Sequence, residues 1–226
     1  MSEARALASS PTMSETTPDS NTTRGKKTRP RRDELLTIAA RVFASKGIAS
    51  ATVRDIATEA GILSGSLYHH FTSKEEMVRE VLTKAGAGEA AAYRQIFYSS
   101  PNADEALRRS TRFAVNRVAE NPDVARIYRN DAQYIRETPA LAESEERRQS
   151  NRVVWMEVVD AGITQGLFRQ DLDADLAVRA MWDTILGSIR WFPPRGNADP
   201  DTVGDQLADL FLGGIRAPKK SRQRSN

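Results

Sequence analysis

The chain has no cysteine, only two histidines and no long apolar run. Without cysteine there are no disulfides, no thiolate metal ligands and no cysteine nucleophile, a composition that fits a reducing cytosol. His69 and His70 are adjacent, so one helical turn cannot aim both at the same ion, and neither a metal site nor a cofactor is expected. No stretch approaches the roughly 18 apolar residues of a membrane span. The Ser/Thr/Pro-rich N-terminus also lacks the apolar core of a signal peptide. The expectation is a cytoplasmic protein with no membrane partner. Signatures of common enzyme classes are missing as well: no G-x-x-x-x-G-K-[ST], no G-x-G-x-x-G, no G-x-S-x-G and no H-E-x-x-H. Gly86-Ala87-Gly88 has neither a third glycine nor a preceding strand, and Glu145–Glu146 lies in a charged stretch. No catalytic residue is assigned, and an enzyme is not expected.

What is present is an uneven distribution of charge along 226 residues with a net charge of only +3. Residues 1–32 hold seven basic and three acidic side chains, and residues 216–226 hold five basic and none acidic, which leaves the middle at −6. Basic arms on an acidic body suit contact with a polyanion; solvated tails that aid solubility are the plainer reading, mainly for the C-terminal one. Residues 1–28 are polar and poor in aromatics, and are expected to be a disordered arm. The same is expected of the basic tail at 217–226.

Between these arms the pattern is helical, with neither strand-like alternation nor an internal repeat. Leu35, Leu36, Ala39, Ala40, Val42 and Phe43 form one stripe, closed by Gly47 at a C-cap. Thr52 is placed to cap a short helix that Gly61 ends. A second short helix is expected from about Ser64 to His70, and a longer one from Ser73, with Glu76 in a capping-box position. Further helices follow over about 104–120, through Val124 to Tyr134, from Pro139 to Gly166, from Asp173 through Ile189, and through Val203 to Ile215. The expectation is an all-α fold of about nine helices. It divides into a three-helix domain over 29–82 and a larger helical domain over 83–216.

Residues 52–70, TVRDIATEAGILSGSLYHH, have the form of a helix-turn-helix. Gly61 permits the turn, and Val53, Ile56, Ala57, Ile62 and Leu67 can pack inward. Ser64, Gly65, Ser66, Tyr68 and His69 are then left on an outer face, small and hydrogen-bonding enough to enter a major groove. Packing alone also accounts for Phe71, and Tyr68, His69 and His70 have the plainer reading of exposed helix residues. Extended to LLTIAARVFASKGIASA upstream and FTSKEEMVREVL downstream, the segment resembles the N-terminal signature of the TetR family across residues 33–82. The resemblance implies a dimeric, ligand-responsive transcriptional regulator, usually a repressor, acting on double-stranded DNA at a palindromic operator. It assigns phosphate contacts to Thr52, Arg54, His70 and Lys74, and recognition-helix contacts to Ser64, Gly65, Ser66, Tyr68 and His69. Many members carry Lys or Arg where this chain has Ser64, so bidentate guanine readout is absent there. Residues 33–80 carry five basic and seven acidic side chains. The cations of the arm, Arg29, Arg31 and Arg32 among them, are therefore expected to supply much of the DNA affinity.

In the body, Phe97, Phe113, Tyr134, Trp155, Trp182 and Leu186 lie at helical spacing, where such residues are core or line a ligand cavity. Arg126, Arg129, Arg152 and Arg190 interleave with them and suit an anionic group; surface salt bridges are the plainer reading. ILSGSLYHHFTSKEEMV, GLFRQDLDADLAVRAMWDT and SIRWFPPRG resemble the family's actinobacterial steroid-catabolism repressors of the KstR kind. That resemblance makes an acyl-CoA thioester from lipid or steroid catabolism the leading effector. A regulator of another ligand class such as hydrophobic drugs, an activator, and a sequence-indifferent DNA-coating protein remain as alternatives. The last two long helices, with Gly187, Ala208, Gly213 and Gly214, are expected to form a homodimer interface.

Overall fold

The structure is a computed structural model and describes residues 32–191 and 199–218. Among the described residues there are eleven α-helices, two short 3-10 turns and no strand, only an isolated bridge between Phe168 and Arg216.

Helix α1 (Arg32–Lys46) buries Leu35, Leu36, Ala39, Val42 and Phe43, the stripe expected of a helix packed on one side. Gly47 ends it at φ +78°, its N–H donating to Phe43 O at 2.8 Å. Helix α2 (Val53–Ala60) starts in a reciprocal cap: the Thr52 hydroxyl accepts from Asp55 N, and the Asp55 carboxylate accepts from Thr52 N. Gly61, at φ +65°, closes α2, and α3 (Ser64–Leu67) follows. The helix expected to reach His70 stops at Leu67, because His70 N and Phe71 N both donate to Leu67 O in a closing turn that buries Phe71. Ser73 caps α4 (Lys74–Gly86) as its position suggests, accepting from Glu76 N at 3.0 Å. The Glu76 carboxylate reaches one residue further back than a capping box requires, to the Thr72 N–H and hydroxyl.

The body runs from α5 (Glu89–Ser99) and α6 (Ala103–Glu120) through α7 (Pro122–Asn130), α8 (Ala132–Glu137) and α9 (Ala142–Thr164) to α10 (Ala174–Gly187) and α11 (Pro200–Ile215). The single helix expected through Val124, Ile127 and Tyr134 is broken at Asp131, whose carboxylate turns aside to accept from Ile48 N at 2.9 Å. Asp173 caps α10 by accepting from Leu176 N, as its position predicts. Two glycines allow close approach: a Cβ on Gly162 would lie 2.1 Å from the Phe168 ring, and one on Gly204 would lie 2.7 Å from Arg112 Cα, where α11 packs on α6.

The apolar interior divides in two. One core gathers α1 to α4 around Phe43, Ile56, Leu67, Phe71 and Met77, and draws in Ile127, Ile135 and Leu141 from later in the chain. The other holds Tyr93, Leu107, Val115, Trp155, Val159, Phe168 and Ile185. Of the small residues noted on the last two helices, Ala208 is fully buried within the chain, whereas Gly187, Gly213 and Gly214 have open space where a Cβ would sit. Leu176 on α10 and Leu210 on α11 are exposed.

Candidate functional site: a reading turn and an arginine-lined cavity

Helices α2 and α3 hold the candidate DNA contacts on one exposed side. Thr52, Arg54, Gly65, Tyr68 and His69 are open to solvent; Ser64, Ser66 and His70 are half-buried. Arg54 has no partner among the described residues. Asp55, below it, is drawn down from 3.8 to about 2 by the Lys46 ammonium at 2.6 Å and by the two bonds from Thr52. Two of the expected contacts already have partners within the chain. Lys74 Nζ donates to the carbonyls of Ile48 (2.8 Å) and Ala49 (3.3 Å), tying the start of α4 to the loop after α1. Arg32 pairs with Glu80 and, at 3.7 Å, with Glu76, and its guanidinium lies 4.5 Å from the centre of the Phe71 ring. These cations are occupied because helix ends and half-buried carboxylates nearby require partners. Arg29 and Arg31 lie outside the described residues. Leu63, not among the expected contacts, is 80% exposed at the start of α3. The signal for it was the lack of a polar residue at a helix N-cap.

A cavity of about 780 Å³ opens between the ends of α4 and α5 and the helices α6, α7, α9 and α10. This is within the roughly 300–1,000 Å³ typical of small-molecule sites. Its wall carries eight arginines, Arg117, Arg129, Arg136, Arg147, Arg148, Arg152, Arg179 and Arg190, against two acids, Glu89 and Asp183. Burial, and then repulsion from Arg179 and Arg148, depress the Arg152 guanidinium below its ordinary value, although Asp175 is paired with it. Burial also pushes Tyr128 up to about 12. Several buried polar atoms of this wall have no partner among the described residues: Arg147 Nε, Arg152 Nε, Asn151 Oδ1 and Trp182 Nε1. Buried polar atoms are normally satisfied, so these four are exceptions in the wall.

Of the residues singled out for ligand binding, the cavity brings together Arg152, Trp182, Leu186 and Arg190. Trp155 lies behind the wall, 1% exposed, with ring centres 5.2 Å from Trp182 and 5.8 Å from Tyr93. Phe113 supports Tyr93 edge-on at 5.1 Å, and Phe97 packs beside Tyr98. Both belong to the layer beneath, because α5 and α6 turn these rings toward the body core. Tyr134 belongs to the other core, its hydroxyl donating to Glu75 at 3.2 Å, because the break at Asp131 swings α8 toward α4. Arg129 lines the cavity too, whereas Arg126 pairs with Asp123. Arg117, Arg136, Arg147, Arg148 and Arg179 were missed; the run Arg147, Arg148, Arg152 already puts Arg148 and Arg152 on one helix face.

The cavity wall grips the last turn of α4 directly. Arg117 donates to Ala85 O and pairs with Glu89, while Arg147 donates to Thr83 Oγ1 at 3.0 Å and lies over Gly86. Helix α7 has the same double attachment. Val124, Ala125, Tyr128 and Arg129 face the cavity, while Ile127 enters the N-terminal core and Asp131, just past its end, holds Ile48 N.

Residues 35–81 match the bacterial regulatory proteins of the tetR family, and residues 100–215 match the tetracyclin repressor-like C-terminal domain. The chain is 43% identical over 185 residues to the HTH-type transcriptional repressor KstR2 of Mycobacterium tuberculosis, covering 82% of this chain and 92% of that protein. It is 37% identical over 203 residues to KstR2 of Rhodococcus jostii, covering 90% and 98%. The solved structure of the M. tuberculosis protein, described as a ketosteroid transcriptional regulator, superposes with a TM-score of 0.76 at 41% identity, covering 85% of this chain and 98% of that one.

Proposed function

This chain belongs to the TetR family and is a TetR-type transcriptional repressor, and on that premise we propose that it releases its operator on binding an anionic effector, an acyl-CoA thioester from lipid or steroid catabolism. The observation that carries this reading is the ratio of eight arginines to two acids around one cavity. Arg117, Arg147, Arg148, Arg152 and Arg179 have carboxylate partners, which leaves Arg129, Arg136 and Arg190 without an ion pair among the described residues and suited to the phosphates or carboxylates of a ligand. Tyr93, Trp182 and Leu186 offer aromatic and apolar surface for the remainder of the ligand. The steroid class rests on the relative's description as a ketosteroid regulator.

In this reading the operator is palindromic and is bound by a homodimer joined through α10 and α11, where Leu176, Leu210, Gly213 and Gly214 remain uncovered. Release follows from competition. An anion that draws Arg117 away from Ala85 O and Glu89, or Arg147 away from Thr83, loosens the last turn of α4, whose first turn is fixed to the reader by Lys74. The ligand then favours an arrangement in which the two reading faces no longer match two half-sites, and DNA affinity falls by the coupling free energy. The test is calorimetric titration of the full chain with coenzyme A and with straight-chain and steroid-derived acyl-CoA thioesters, followed by operator competition with each binder. Binding that releases the operator supports the reading; absence of heat from every thioester overturns the effector class.

A further inference from the structure

Both of the reader's exposed large apolar side chains, Leu63 at 80% and Tyr68 at 58%, flank the four residues of α3. Leu63 stands at the N-cap with extended backbone, φ −74° and ψ 143°, and makes no capping bond from its side chain. Leucine is among the poorest N-cap residues, and full exposure gives this one no core contact, so the free chain gains nothing from it in folding. A local rule broken without a structural return marks a functional position.

The chemistry of the neighbouring side chains says what that function is. Residues 63–70 read LSGSLYHH, with no Arg, Lys, Asn, Gln, Asp or Glu. Bidentate contacts to guanine or adenine and acceptance from cytosine are thereby unavailable along this stretch. What remains of the major-groove code is hydroxyl and imidazole hydrogen bonding, and apolar contact with the thymine methyl. We propose that Leu63 is a specificity-determining residue that packs on a thymine C5-methyl group in each half-site, next to the groove entry of Ser64 and Gly65. The open space around Gly65 lets the helix come close enough for this contact.

The inference rests on the repressor reading, and the experiment separates the two. The full chain is used to select preferred duplexes from a random pool, and each thymine of the selected site is then replaced by uracil, which removes only the methyl group. At one thymine per half-site, wild-type affinity falls about fourfold per half-site and roughly 16-fold when both are replaced. Leu63→Ala binds the thymine duplex more weakly by a similar factor and no longer distinguishes thymine from uracil at that position. Leu63→Ser is equally blind there but melts at a higher temperature, since serine restores the cap; this separates lost readout from lost folding. The inference is overturned if wild type is indifferent to every replacement, or if Leu63→Ala keeps the full thymine preference. A selection that returns no preferred duplex overturns the repressor reading, and this inference with it.

Discussion

In the reader, Arg32 is paired with Glu80 and Glu76, Arg41 with Glu59, Lys46 with Asp55 and Lys84 with Asp33, and Lys74 is bound to two carbonyls. Around the cavity, five of the eight arginines are paired as well, Arg117 with Glu89 and Glu120, Arg147 with Glu143, Arg148 with Glu145, and Arg152 and Arg179 with Asp175, while Arg129, Arg136 and Arg190 have no ion pair among the described residues. Both regions pair most of their cations internally; the difference is that acids outnumber bases over residues 33–80, seven to five, while the eight arginines around the cavity outnumber the acids beside them. In the proposed reading, DNA affinity then comes from the reader's Arg54, unpaired among the described residues, together with the basic stretch that precedes Arg32.

The largest effect that tests this contrast is removal of residues 1–31. Lys/Arg contacts to phosphate release counterions and set the dependence of affinity on salt. Truncation should lower operator affinity by about 100-fold at moderate salt and flatten the slope of log affinity against log salt by at least about 2. Filter binding across a salt series reads both. An unchanged slope would mean that the reader's cations are not as occupied as their pairings indicate.

Next in size is the exchange of cavity arginines for neutral residues. Arg117→Ala or Arg147→Ala should leave operator affinity in the absence of ligand within a few-fold of wild type while reducing ligand-driven release by about tenfold, within the usual range of coupling free energies. Operator competition with and without a binding thioester reads the two quantities separately. Arg148→Ala, whose guanidinium is held by Glu145 within α9, should weaken the thioester but leave release intact once the ligand is saturating. If all three behave alike, charge alone matters and the grip on α4 carries no signal.

Much of this contrast could be anticipated from the chain, and the part that could not has a common cause. The caps at Thr52, Ser73 and Asp173 and the turn at Gly61 are local: each depends on residues within one or two turns, so each is visible in sequence. The same holds for the stripe of α1 and the inward positions of α2. The break at Asp131 depends on a bond to Ile48, more than eighty residues away in sequence, and no periodicity announces it. Because α8 swings with that break, Tyr134 leaves the cavity for the reader's core. The cavity wall shows a related asymmetry. Aromatic spacing pointed to Phe97, Phe113 and Trp155, which pack on the body core instead of lining the wall, Trp155 completely buried and the two phenylalanines partly. The wall itself is built from arginines, whose long apolar stems pack while the charged heads stay accessible.

The smallest effect concerns the capping box at α2 and is a matter of pH. Asp55 is held at about 2, below its ordinary 3.8, first by Lys46 and then by Thr52. A carboxylate depressed on folding stabilises the folded state fully above its unfolded value, and that contribution is lost as pH falls from about 4 toward about 2. Asp55→Asn should therefore be slightly less stable than wild type near neutrality and should converge with it at pH 2. Because Asp55 is exposed, the gap is small. The three tryptophans, Trp155, Trp182 and Trp191, all belong to the body. Tryptophan fluorescence thus follows the body, while far-ultraviolet dichroism follows both regions. If acid loosens the reader first, dichroism should change between pH 4 and 2 before fluorescence does, and Asp55→Asn should narrow that interval. Coincident transitions in both proteins would instead show that the bonds from Asp131, Lys74 and Arg147 weld the two cores into one cooperative unit, and would make the reader and the body separate in chemistry but not in folding.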